Sequence, residues 1–157
     1  MWPRISDELG MDKSDYANIV SLFMIAYAVS HTLSGRIYDW IGTRLGFLMS
    51  ITIWSIGIML HGIARSVLSF SFFRVILGFG EAGNWPGATK SNAEWFPVKE
   101  RALAQGIFNA GSAGGAIISF PLIGLLYGSF GWRATFVVIG AAGLLWLLPW
   151  LIINKST

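Results

Sequence analysis

The sequence predicts an all-α membrane protein, and three observations lead there. Of its 157 residues, 54% are hydrophobic and only 12% are charged, against about 25% charged in an ordinary soluble domain. The apolar residues gather into five stretches, each close to the ~20 residues a helix needs to cross ~30 Å of hydrocarbon. The connections are short and hold most of the lysine and arginine. Five transmembrane helices are therefore expected, over approximately 15–34, 44–64, 67–93, 100–128 and 132–153.

The first helix is announced by Asp12, whose carboxylate caps the first turn, with Asp15 three residues on in a variant of the capping box. A short charged connection, Gly35 to Arg44, separates it from the second span. The tight segment His61 to Ser66 leads into the third, which carries Arg74 and Glu81 within apolar surroundings. A charged side chain at mid-membrane costs roughly 2.5–3.5 kcal/mol on insertion scales. Residues seven apart differ by only about 20° around a helix and lie about 10 Å apart along it. Both groups are expected to face one cavity or partner, for transport, proton relay or a structural ion pair to other helices. Glu94 to Arg101 is polar and connects to the fourth span, and Gly128 to Arg133 leads into the fifth.

Pro86 and Pro121 are expected to bend or interrupt their helices, which the bilayer tolerates where neighbours or water satisfy the freed carbonyls. Glycine pairs four apart, Gly42/Gly46, Gly111/Gly115 and Gly124/Gly128, are at the spacing that lets helices approach closely. Gly78-Phe-Gly80-Glu-Ala-Gly83 matches a dinucleotide fingerprint in letters, but the strand, turn and opening helix are missing. These glycines instead thin the helix around Glu81, admitting a partner helix or a solute. Trp85, Trp95, Trp132, Trp146 and Trp150 lie near span ends, the preferred place for interfacial anchors. Tyr27, Asn84, Asn109 and Ser112 are polar groups inside or near the inner part of spans, where an unpaired group is costly. They are either interhelical glue or the lining of a polar solute path.

Composition excludes several functions. The chain has no cysteine, so no disulfide framework, thiolate metal site or thiol nucleophile is available. His31 and His61 lack a carboxylate at ligand spacing, so no metal site is expected, and both are placed at the membrane interface. The net charge of +3 reflects loop lysines and arginines of a membrane protein, and nucleic acid is not implied. Ser112 has no motif of an activated nucleophile around it, which argues against catalysis. No cofactor is expected.

Arg36, Arg44, Lys90, Lys99, Arg101 and Lys155 fall on one side of the expected bundle, and Arg4, Lys13, Arg65 and Arg133 on the other. The positive-inside bias then places the N-terminus outside and the C-terminus in the cytoplasm, in a multi-pass cell (inner) membrane protein. Residues 1–15 are polar, mixed in charge and do not read as a signal peptide. Five spans with an external polar N-terminus make an awkward complete protein, so the chain is expected to be truncated.

The run Gly35-x-x-x-Asp39-x-x-Gly42-x-Arg44 resembles the signature between helices 2 and 3 of the major facilitator superfamily. Arg74-x-x-Leu-Gly78-x-x-Glu81-Ala, Trp85-Pro86, Glu94-Trp-Phe-Pro97-x-Lys-Glu100-Arg101-Ala and Gly131-Trp132-Arg133-x-x-Phe136 are similar to the anion:cation symporters, particularly bacterial hexuronate and sugar-acid permeases. The resemblance implies helices 2 to 6 of a twelve-helix fold, most of one N-terminal six-helix half, with helix 1 and the C-terminal half missing. It also implies an organic anion and a coupling proton as the small-molecule partners. By the same resemblance Glu81 couples protons, Arg74 sets the electrostatics of the site and Tyr27 touches substrate. Asn84, Asn109 and Ser112 are the further substrate-binding candidates, Ser112 standing where some relatives place a glutamine. Gly35, Asp39, Gly42, Arg44 and Arg101 are the expected cytoplasmic gate, with Asp39 meeting a helix N-terminus or Arg101. Low dielectric disfavours an ionised carboxylate, which suits Glu81 to proton uptake and release, while arginine's fork suits an organic anion. Alternating access would move one six-helix half against the other. An intramembrane enzyme and a helix-bundle scaffold are the rival expectations.

Overall fold

A computed structural model describes residues 1–154, and among these the regular elements are all helical. Lys155, counted above in the charge balance, lies outside the described residues. In chain order the helices are α1 (Trp2–Leu9), α2 (Lys13–His61), α3 (Val67–Glu81), α4 (Asn84–Trp95) and α5 (Arg101–Ile153). Helices α2 and α5 are long and apolar enough to cross a membrane. At about 1.5 Å per residue an unbroken helix of 49 or 53 residues would exceed ~70 Å, more than twice the hydrocarbon thickness. Each is broken once, at Gly42 (φ 80°, ψ 166°) and at Gly131 (φ 78°, ψ 173°). That region of the map is open essentially to glycine alone.

The expected loops at 35–44 and 128–133 therefore shrink to single residues, because a glycine in this conformation ends one helix and starts the next without a linker. Gly42 folds α2 back on itself. The Tyr38 ring covers Gly46, where a Cβ would overlap it, and its hydroxyl lies 3.2 Å from the Ser50 Oγ. Tyr38 also meets Phe47 edge-on at 5.7 Å. The capping box reads as expected, with the Asp15 amide donating to Asp12 at 2.7 Å and the Asp12 amide to Asp15 at 3.1 Å.

The expected continuous helix over 67–93 is divided into α3 and α4 at Ala82 and Gly83. Pro86 accounts for the division: it lacks the N–H that the Ala82 carbonyl would accept, and its ring crowds that carbonyl. Nearby, the Ser30 hydroxyl donates to the Phe79 carbonyl at 2.8 Å, a side-chain donor of the kind that makes such interruptions tolerable in lipid. By contrast, the helix runs on through Pro121.

Helix α1 is an element the sequence reading did not place. It ends at Gly10 in the left-handed region (φ 65°) and, with Met11 after it, buries Ile5 against Ile19, Ala64, Phe70 and Trp132. Trp132 is consequently 5% exposed, with its indole N–H donating to Glu8 at 2.7 Å, so it is an internal post and not a lipid anchor. His61, expected at the interface, is fully buried and stacks on Phe136 at 5.1 Å with Phe70 edge-on at 4.7 Å.

The glycine pairs divide as well. Gly46 makes a close approach, whereas Gly111, Gly115, Gly124 and Gly128 face open space among the described residues. Residues 132–153 of α5 pack on the second half of α2, where a Cβ at Gly140 would come within 2.6 Å of the Ser55 carbonyl oxygen.

Candidate functional site

The glycines flanking Glu81 are what position it. A Cβ at Gly78 would lie 2.9 Å from the Phe23 carbonyl oxygen, and one at Gly80 would lie 2.7 Å from the Trp54 Cα. Real Cβ atoms do not approach so closely, so these positions seat α3 tightly between the two halves of α2. With that face committed to helix contact, Glu81 turns to the other side. There it lines a cleft of about 410 Å³ with Tyr27, Asn84, Trp85, Phe108, Gly111 and Ser112. That volume lies within the range of small-molecule sites.

The cleft unites four expected residues, Tyr27, Glu81, Asn84 and Ser112, one from each of α2, α3, α4 and α5. Arg74 is not among its walls. Its guanidinium lies over the Phe70 ring at 5.5 Å, and its Nε is buried without a hydrogen-bond partner among the described residues. A buried unpaired donor costs about 1–3 kcal/mol, and this N–H is free to donate to an acceptor that reaches it. His61 has a similar orphan: its Nδ1 is 2.6 Å from the Gly57 carbonyl oxygen while Nε2 is buried and unpartnered among the described residues. Asn109 is exposed outside the cleft and accepts from Gln105 at 3.4 Å.

Three wall residues escaped the sequence reading as site residues. Trp85, expected at the interface, lies in the first turn of α4, lines the cleft beside Glu81 and meets Phe108 edge-on at 5.3 Å. Phe108, Gly111 and Ser112 have the i, i+3, i+4 spacing of one helix face, which was the available signal.

At the end of the molecule holding Gly42, the expected gate has different partners. Asp39 pairs with Lys90 at 2.8 Å and not with Arg101. Arg101 instead donates to the Ala93 and Phe96 carbonyls at 2.7 and 3.0 Å, closing the C-terminus of α4. Thr43 donates to Glu94, and the Trp150 indole donates to the Arg44 carbonyl at 3.2 Å. A Cβ at Gly35 would meet open space. Lys90 was absent from the expected gate because its partner is 51 residues away, beyond any local pattern.

At the end holding Gly131, Arg133 joins three segments. It donates to Glu8 at 2.8 Å and to the Gly62 and Ala64 carbonyls at 3.1 and 2.7 Å. The Arg133 and Trp132 hydrogen bonds hold the Glu8 carboxyl below the usual carboxylate range. The segments expected to share a side are thus together at each end.

A helical bundle with paired hairpins and a polar cleft between spans defines the class, a multi-pass membrane protein. The Major Facilitator Superfamily model matches residues 1–157, and the chain belongs to that superfamily. It is 33% identical over 153 residues to the hexuronate transporter of Escherichia coli (strain K12), covering 98% of this chain and 35% of that protein. It is 30% identical to the galacturonate transporter of Dickeya chrysanthemi, over 98% of this chain and 44% of the relative. A probable sulfoacetate transporter of Cupriavidus necator is 34% identical over 99% of this chain and 36% of its own length. The chain thus spans between a third and a half of the length of these relatives. All three bear the names of transporters.

Proposed function

We propose that this chain forms part of a secondary active transporter for organic anions such as hexuronates or other sugar acids, working by proton symport with alternating access. Its spans are assigned to helices 2 to 6 of a twelve-helix carrier, with the Gly131 end and the N-terminus outside and the Gly42 end in the cytoplasm. The observation that carries the reading is Glu81 lining an open polar cleft within an apolar bundle, beside Tyr27, Asn84 and Ser112. The named activities of the relatives supply the substrate class, and sulfoacetate among them fits a site that selects for negative charge.

Glu81 is the proton-coupling group in this scheme. A carboxyl in low dielectric has its ionised form disfavoured, and Arg74 stands two turns away on the same helix, about 10 Å along the axis. Arg74, with an uncommitted N–H, draws the anion and adjusts Glu81 as the cleft fills. Asn84 and Ser112 offer donors and acceptors for hydroxyls.

The test is uptake of galacturonate into proteoliposomes containing the complete carrier, driven by a pH gradient. Glu81→Gln is expected to abolish accumulation while leaving exchange of bound substrate. Undiminished accumulation in that variant overturns the proton role, and absence of any gradient-driven anion uptake by the unaltered carrier overturns the function.

A further inference from the structure

Trp85 belongs to two clefts. Beyond the one that holds Glu81, a second of about 400 Å³ continues between α2 and α4, with His31, Gly35, Asp39, Thr89 and Lys90 among its walls. Tyr27 of the first cleft and His31 of the second stack at 5.9 Å with their planes 23° apart. The border between the two spaces is therefore aromatic, made by Trp85, Tyr27 and His31.

The chemistry of the second cleft centres on Lys90. Its ammonium donates to Asp39 and to the Tyr38 carbonyl, each at 2.8 Å. An ammonium has three N–H donors, so one is uncommitted among the described residues. The two partners differ in enclosure: the Lys90 side chain is 26% exposed and that of Asp39 is 76% exposed. A pair with so exposed a carboxylate is held by only about 0–1 kcal/mol. An incoming carboxylate can therefore replace Asp39 at the enclosed cation at little cost.

We propose that this second cleft is a further station for the transported anion, where Lys90 takes the substrate carboxylate in exchange for Asp39 while Thr89 and His31 meet its hydroxyls. Glu81 closes α3 and Lys90 lies in the second turn of α4; the six residues from Asn84 alone span about 9 Å, so a solute of one sugar unit occupies the stations in turn. The inference rests on the organic-anion reading above and adds the site reached next along the same groove.

The experiment is protection of Lys90 from acylation of its amine, read by peptide mass spectrometry on the complete carrier with and without galacturonate, together with KM at each face of the membrane. Galacturonate is expected to slow acylation of Lys90 and leave Lys99 unaffected. Lys90→Gln should raise KM about fivefold at one face only, as loss of about 1 kcal/mol implies, and Lys90→Arg should restore it. Asp39→Asn breaks the same ion pair yet should act in the opposite sense, so that Lys90 is protected at lower galacturonate. Absence of protection in the unaltered carrier, equal protection by uncharged galactose, or loss in both Lys90→Gln and Asp39→Asn overturns the station, the last result marking the pair as a mere staple. Transport by a carrier whose Lys90 is unprotected refutes the station alone, whereas a carrier that moves no organic anion refutes the functional reading and the station with it.

Discussion

The turns at Gly42 and Gly131 share one backbone geometry at opposite ends of the molecule, but their surroundings differ in kind. Around Gly131, Arg133 closes the exposed carbonyls after α2 and holds Glu8, and α1 lies across that end. Around Gly42, the Asp39–Lys90 pair is exposed on its acidic side and borders an open cleft. Both ends use backbone carbonyls, taken by Arg133 at one and by Lys90 and the Trp150 indole at the other. They differ in the ion pair: Glu8 is held by both Arg133 and Trp132 and is 48% exposed, whereas Asp39, paired with Lys90, is 76% exposed and easier to exchange. The same one-residue turn thus serves a firmer closure in one place and a more readily exchanged one in the other.

The largest expected effect on this contrast comes from Arg133→Ala, which strips the Gly62 and Ala64 carbonyls of their donors and should cost about 3 kcal/mol. Thermal unfolding in detergent would show it as a lowered Tm, and an unchanged Tm would remove the difference between the two ends. Next, Gly42→Ala and Gly131→Ala should each cost about 1–3 kcal/mol, since both glycines occupy a region closed to other residues. Similar losses at both turns would confirm their equivalence, and a loss at only one would break it.

Smaller than either is the effect of Glu8→Gln, which is distinguished by its pH dependence. Glu8 and the capping Asp12 both have carboxyls held below their ordinary values, Glu8 by Arg133 and Trp132 and Asp12 chiefly by the Asp15 amide. A group depressed on folding contributes stability above its unfolded value and loses it as pH falls through the folded one. Acid unfolding should therefore begin below about pH 4.3. It should be flattened in Glu8→Gln, with the Asp12 share persisting, and an identical acid profile in the variant would sink this account. Asp39→Asn should leave Tm unchanged, because so exposed a pair adds little.

Much of the fold was legible because apolar stretches of membrane length and the Asp12 cap are local properties. Boundaries were less so. Gly42 and Gly131 condensed expected loops into single residues, and Pro86 split a helix that apolarity alone made continuous. Tyr27, Glu81, Asn84 and Ser112, singled out as polar groups in apolar surroundings, line one cleft. Trp85, Phe108 and Lys90 were missed as site residues, since each gains its role from a residue on another helix. Trp132 resembled a lipid anchor because the amino acid is the same whether its indole meets a headgroup or Glu8.

By itself, then, the sequence determined that the chain is helical and membrane-embedded, that a carboxylate is held in an apolar span, and that one helix begins after Asp12. Those follow from solvation cost and short-range hydrogen bonding, which depend on neighbours along the chain. Only the tertiary structure decided that Glu81 faces a cleft while Arg74 lies over Phe70, that α1 covers one end, and that Asp39 answers Lys90 and not Arg101. Such pairings depend on which helix faces seat together, and the close approaches at Gly78, Gly80 and Gly140 that select those faces join residues far apart in the chain.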